Sequence, residues 1–298
     1  MQHAALLTHV MTDPTLFELG DGIGEHFSNI SFLLNEAQKA PFLMYQLLAF
    51  SARHLAFLHP ESATSHLQQA VRLQTHGLAL FNTATAAGYP VNEADATSIL
   101  LFSVILGHHV LTDTLSARNY DGWGAFATSF GRCTSIQRGI PAVARSAWPS
   151  LLQTELHPIL SGSSTIHSRA PQGSQCQAVL RWIESSPLSD EGQKEIYRVV
   201  LRYLQLGYDL LEDNGPVGGN KFRMVFSWPH LVPAEFSRWL EEGKPEALVI
   251  FIYYAVLLKR AKTLWPIQDA GDYNLDLAKD GLEPQWHYWI EAANGIQV

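Results

Sequence analysis

Tyr253 and Tyr254 stand side by side in LVIFIYYAVLL, eleven apolar residues from Leu248 to Leu258. A phenol in apolar surroundings needs a hydrogen-bond partner. A donor held in a dry chamber is also a group that polarises the carbonyl of a bound molecule. Phe251, Leu257 and Trp265 fall in or beside the same stretch and extend it into one candidate wall of an internal site. The opposite wall is expected from ATSILLFSVILGHHVLTDTL, which offers Phe102, His108 and Leu111. His108 as a base or donor and Tyr254 as a donor are the candidate catalytic groups if chemistry occurs there. The chain holds 8 Trp, 10 Tyr and 14 Phe. Such a stock can build a concave apolar site with a few polar handles, and it also serves as ordinary core.

Other chemistries lack their residues. The sequence has no CxxC and no HExxH. His108 and His109 are adjacent, so on a helix they point roughly 100° apart and do not share one ion easily. No metal and no cofactor is therefore expected. No GxSxG supports a nucleophile elbow. The glycines at 122–131 and 214–219 form neither GxGxxG after a strand nor GxxxxGK[ST], and they read as turns. Asp209, Glu212 and Asp213 in DLLED are similar to the paired carboxylates of helical terpene cyclases. Their spacing departs from that motif, and a solvated helix end is the plainer reading.

The elements that would carry these residues are helices. Pro245 suits a first helical turn, where its missing N–H has no partner to lose. Lys259, Arg260 and Lys262 follow the apolar run, where cations suit a helix C-terminus. A run that is apolar all round is a helix surrounded by protein, and eleven residues fall short of the ~20 that cross a bilayer. PFLMYQLLAFSARHLAFLHP, bounded by Pro41 and Pro60, keeps helical spacing of its leucines and phenylalanines. Further helices are expected over 62–82, from about 92, from 177 and from 189. Ser161–Gln177, rich in Ser, Gly and Gln, reads as a flexible loop. No strand-like alternation and no internal repeat is found. The fold expected is all-α, a single multi-helix domain over 1–298 with an internal apolar pocket.

Composition agrees with a large interior. Of the 298 residues, 47% are hydrophobic and 16% charged, below the ~25% charged of ordinary domains. The net charge is −8 with no Lys/Arg cluster, so direct nucleic-acid binding is not expected, since that affinity rests on neutralising phosphates. The two cysteines, Cys133 and Cys176, point to a reducing compartment. No charged-then-apolar leader opens the chain, and an intracellular protein is expected.

Five stretches together resemble the regulatory domain of fungal zinc-cluster transcription factors, in the branch that includes sterol-responsive regulators. QHAALLTHVMTDPTLFEL resembles its opening and PFLMYQLLAFSARHLAFLHP its Leu/Ala-rich helix. IQRGIPAVARSAWPSLLQTELHPIL is similar to its middle motif. FSWPHLVPAEFSRWLEEGKPEALVIFIYYAVLLKRAKTLWP resembles its C-terminal block, and PQWHYWIEAA its ending. The resemblance implies an all-α domain that binds a bulky apolar effector, sterol-, terpenoid- or polyketide-like, among C-terminal helices. The family's upstream six-cysteine cluster has no counterpart in a chain with two cysteines. After Trp265 the chain departs from the family pattern with PIQDAGDYNL.

Two functions follow as expectations. The first is an effector-binding module, nuclear or cytoplasmic, whose ligand shifts an equilibrium read by a partner or a homodimer interface. The second is a stand-alone, cofactor-free cyclase or isomerase of fungal secondary metabolism, of the Diels–Alderase kind. Holding reacting ends together can lower a barrier by ~7–11 kcal/mol.

Overall fold

In this computed structural model residues 2–19, 30–85, 95–139, 147–187, 189–213 and 221–296 are described. All regular structure among them is helical, with no strand. The α-helices are α1 (Gln2–Thr12), α2 (Ile30–Lys39), α3 (Pro41–Leu58), α4 (Ala63–Thr85), α5 (Ala96–Ser116), α6 (Gly122–Gln137), α7 (Trp148–Leu151) and α8 (His157–Ser168). They continue as α9 (Gln177–Ser185), α10 (Glu191–Glu212), α11 (Arg223–Leu231), α12 (Ala234–Glu241), α13 (Pro245–Arg260), α14 (Ala270–Gly281) and α15 (Tyr288–Asn294). The chain divides into two compact units: Met1–Val110 with Gly139–Gly162, and Leu111–Arg138 with Ser163–Val298. Sequence reading expects one domain.

In the first unit α3 and α4 form a hairpin. Pro41 opens α3, and the helix ends at His59 before Pro60, since the residue preceding proline is pushed out of the α region. The two helices approach closely at Gly77, where an added Cβ would lie 3.2 Å from the Phe42 carbonyl oxygen. The face α4 buries is made of small and medium residues, Ala70, Leu73 and Gly77, while Val71 is 59% exposed. Leu6 of α1 joins Leu48, Ala49 and Ala52 of α3 in the same cluster. The Ser51 hydroxyl donates to the Leu6 carbonyl at 3.0 Å, fastening α1 to α3.

The second unit is built around α13, buried from Glu246 to Leu258. Helix α14 lies directly on its backbone: a Cβ at Gly271 would meet Lys259 N at 2.5 Å and Ala255 O at 2.8 Å. Glycine is required there for close approach. Helix α10 starts with a capping box between Asp190 and Gln193, satisfying two backbone donors reciprocally.

Two expectations are revised. The glycine-rich stretch from 122 is helix, not turn. Trp123, Phe126, Ala127 and Phe130 recur on one helical face and are all buried, and that burial outweighs the helix cost of Gly124 and Gly131. The expected loop at 161–177 is helical through Ser168. Its remainder is pinned to α10: Asp209 accepts from the backbone N–H of Gln172 at 2.8 Å and Gly173 at 2.9 Å, and Gln205 from that of Cys176 at 2.8 Å. The expected turns at 84–90 and 214–219 lie mostly or wholly outside the described residues. Among the described residues one helix, α5, has the length and composition to cross a membrane, but 78% of its most apolar window is buried inside the protein. It reads as a core helix.

Candidate functional site

The eight residues singled out from sequence are divided between the two compact units. Phe102 and His108 belong to the first compact unit. Leu111, Phe251, Tyr253, Tyr254, Leu257 and Trp265 belong to the second. Phe102 stacks on Phe81, with centroids 4.5 Å apart, and meets Phe42 edge-on at 5.4 Å. His108 is buried, and the neighbouring His109 has Nδ1 3.2 Å from Gln46 Nε2.

In the second unit Phe251 is enclosed by Trp123, Phe126 and Phe130 at 5.2, 5.4 and 5.3 Å between centroids. Tyr254 is fully buried, stacked on Trp228 at 4.3 Å, and its hydroxyl donates to the Val225 carbonyl at 2.8 Å. Leu257 packs where Gly207 leaves room for it, since a Cβ there would lie 2.7 Å from Leu257 Cδ2. These three are core side chains with their polar atoms satisfied. Leu111 and Trp265 are likewise buried.

Tyr253 differs. Its ring faces outward from α13 toward α15, and its centroid is 6.4 Å from that of Trp289. Trp289 in turn lies 5.2 Å from Trp182 of α9 and 5.1 Å from Tyr288, and Trp182 lies 5.2 Å from Trp286. Five aromatic rings from four segments thus adjoin. They run from buried Tyr253 to Tyr288, which is 51% exposed. The indole Nε1 atoms of Trp286 and Trp289 are both buried and have no hydrogen-bond partner. Leaving such a donor unpaired costs about 1–3 kcal/mol, and an orphaned group of this kind requires an explanation. Other buried orphans exist among the described residues, such as Tyr197 Oη and both amide atoms of Asn274. Those stand singly in fully buried positions, whereas the two indoles stand together on a cluster that reaches the surface. Burial pushes the Tyr253 phenol above its ordinary value, so it stays protonated and able to donate. The arrangement offers ring faces and donors to an apolar molecule that carries an oxygen acceptor.

Trp286 and Trp289 are visible in the sequence as aromatics near the end of the chain. Trp182 carries no local signal, because only the fold brings α9 beside α15. The acids of DLLED are occupied otherwise than in a metal site. Asp209 binds the backbone amides named above, Glu212 accepts from Gln175 Nε2 at 2.5 Å, and Asp213 pairs with Arg169 at 3.1 Å. Both cysteines are free and buried, and burial pushes the Cys133 thiol up to about 12 and raises that of Cys176. Thiolate chemistry is thereby disfavoured.

No family model matches the chain, and no curated protein matches it at the significance required.

Proposed function

We propose that the chain is a binding module for a bulky apolar small molecule bearing a carbonyl or hydroxyl oxygen, of sterol, terpenoid or polyketide type. The site is the aromatic cluster of Trp182, Tyr253, Trp286, Tyr288 and Trp289. The observation that carries this is the pair of buried indole N–H donors with no acceptor. A ligand oxygen would satisfy one or both, and the rings would supply apolar contact. The likeness of the C-terminal stretches to fungal zinc-cluster regulatory domains supports the same class of effector, and Trp286, Tyr288 and Trp289 lie in the last of those stretches. In this reading the ligand orders α9, α13 and α15 together, and a partner reads the ordered form.

The test is direct binding. Purified protein is incubated with an apolar fungal metabolite extract, separated from unbound material, and its retained compounds are identified by mass spectrometry over time. Recovery of a stoichiometric ligand by the wild-type protein, and its loss in a folded Trp286→Phe/Trp289→Phe variant, is the expected result. Equal recovery by both proteins would remove the site. A compound that falls with time while an isomer of equal mass rises would make the protein a cyclase or isomerase.

A further inference from the structure

A second group of side chains lies in the first compact unit. His9, near the end of α1, has Nε2 3.0 Å from Nδ1 of His54 on α3. The other nitrogen of His9, Nδ1, is 3.6 Å from Asp13 Oδ2. One ligand atom from each of these three residues lies within 4.8 Å of the other two. Donor atoms bound at the usual ~2.0–2.1 Å to a tetrahedral zinc ion lie roughly 3.3 Å apart. The 3.0 Å between His9 Nε2 and His54 Nδ1 is close to that spacing, and the Asp13 carboxylate comes within the 4.8 Å span of the set.

The local structure holds the three in place by other means. His9 and Asp13 are four residues apart across the end of α1, which sets them on one side of the helix. Asp13 caps the following 3-10 turn: its Oδ1 accepts from both Thr15 N at 3.0 Å and Thr15 Oγ1 at 2.5 Å. That fixes the carboxylate and turns Oδ2 toward His9. His54 is 1% exposed, and its ring is stacked between His9 at 5.1 Å and Phe57 at 6.0 Å. The side chains of His9 and Asp13 are 11% and 26% exposed, which leaves an entry for a small ion. His59 and His66 are close enough to His9 to act on its charge, and His66 Nδ1 is buried without a hydrogen-bond partner.

We propose that His9, Asp13 and His54 form a binding site for a divalent transition-metal ion of the zinc class. Two imidazoles and a carboxylate suit zinc or cobalt and leave at least one position to water or a fourth ligand. Bound there, the ion joins α1 to α3. The spacing gives no hint of this in the sequence, because His9 and His54 are 45 residues apart.

The test uses the full chain, stripped with a chelator and titrated with Co²⁺, then with Zn²⁺ in competition. The expected result is one Co²⁺ per chain, with the visible absorption of a low-coordinate cobalt site that Zn²⁺ abolishes. His9→Gln and Asp13→Asn should each weaken binding by at least about tenfold. Asp13→Asn is the safer variant, since asparagine caps a helical turn as well as aspartate does. His157→Ala, on an exposed histidine elsewhere, should leave affinity unchanged. Absence of stoichiometric Co²⁺ binding by the wild-type protein, or unchanged affinity in folded Asp13→Asn, would overturn the proposal and leave a hydrogen-bonded histidine pair only.

Discussion

The hydroxyl of Tyr254 donates to the backbone carbonyl of Val225 at 2.8 Å, and Val225 is the residue whose carbonyl α11 cannot satisfy. Its helical donor would be the N–H of residue 229, four positions on. That residue is Pro229, inside α11, which has no N–H. The central helix thus supplies, from a side chain, the hydrogen bond that proline withholds from its neighbour. Tyr254→Phe would leave the Val225 carbonyl buried and unpaired, at a cost of about 1–3 kcal/mol. In a Pro229→Ala background the carbonyl regains a backbone donor, and the same change should cost about 1 kcal/mol less. Urea denaturation of the four proteins of this cycle measures the coupling. Strictly additive costs would show that the two groups do not compensate for one another.

The partnership shows where sequence reading succeeds and where it stops. Unbroken apolar character from Leu248 to Leu258 and the bounding Pro245 make α13 legible as a buried helix. That Tyr254 satisfies α11 is not legible, because a phenol in an apolar run has the same signature whether it faces a ligand or a carbonyl. The stretch from Gly122 misleads for a related reason. Its glycines signal turns locally, while the spacing of Trp123, Phe126 and Phe130 signals a helix face, and tertiary burial decides between them. Trp182 meets Trp286 and Trp289, and His54 meets His9, only through packing between segments distant in sequence.

Glu246 is a charged residue at the entry of α13 and is only 2% exposed. Its Oε1 accepts from the hydroxyls of Ser186 at 3.0 Å and Ser189 at 3.2 Å, and it sits in the first turn, where the helix dipole favours a carboxylate. The carboxylate thereby ties the connection between α9 and α10 to the central helix. Glu246→Ala should lower stability by about 2–3 kcal/mol, in the range of hydrogen bonds to charged groups. Glu246→Gln, which keeps an acceptor, should lose roughly half as much. Chemical denaturation distinguishes this from a solvated glutamate, for which both variants would be neutral.

His167 should make the protein sensitive to mild acid. Burial, then the cations of Arg223 and Arg202, pull its imidazole from 6.5 down to about 4. Tyr203 and His230 meet its ring edge-on at 6.2 and 6.4 Å, and Nε2 is buried without a partner. The unfolded chain takes up a proton at His167 as pH falls through 6.5, and the folded chain does so only near 4. Stability is therefore fully present above about pH 7 and falls with pH across that window. Between pH 7.5 and 5 the loss from this residue should be about 2 kcal/mol, at ~1.4 kcal/mol per unit. His167→Gln should flatten that part of the stability profile. A variant with the same slope as the wild-type protein would assign the acid response to other groups.

Trp289 separates a binding role from a packing role. As a core residue, its truncation would cost stability in proportion to the space left. As a donor awaiting a ligand, its N–H already costs the unliganded fold about 1–3 kcal/mol. Trp289→Phe keeps an aromatic ring against Tyr253 and Trp182 and deletes that orphaned donor. The cavity penalty and the relief of the unpaired N–H oppose each other. Stability without ligand should therefore change by no more than about 1 kcal/mol. Affinity for the apolar ligand should fall at least about tenfold, since that factor corresponds to ~1.4 kcal/mol, the scale of one hydrogen bond. Thermal unfolding of the variant with and without ligand reads both quantities at once. A fold weakened by several kcal/mol with ligand-induced stabilisation intact would make Trp289 a packing residue and move the site elsewhere on α13.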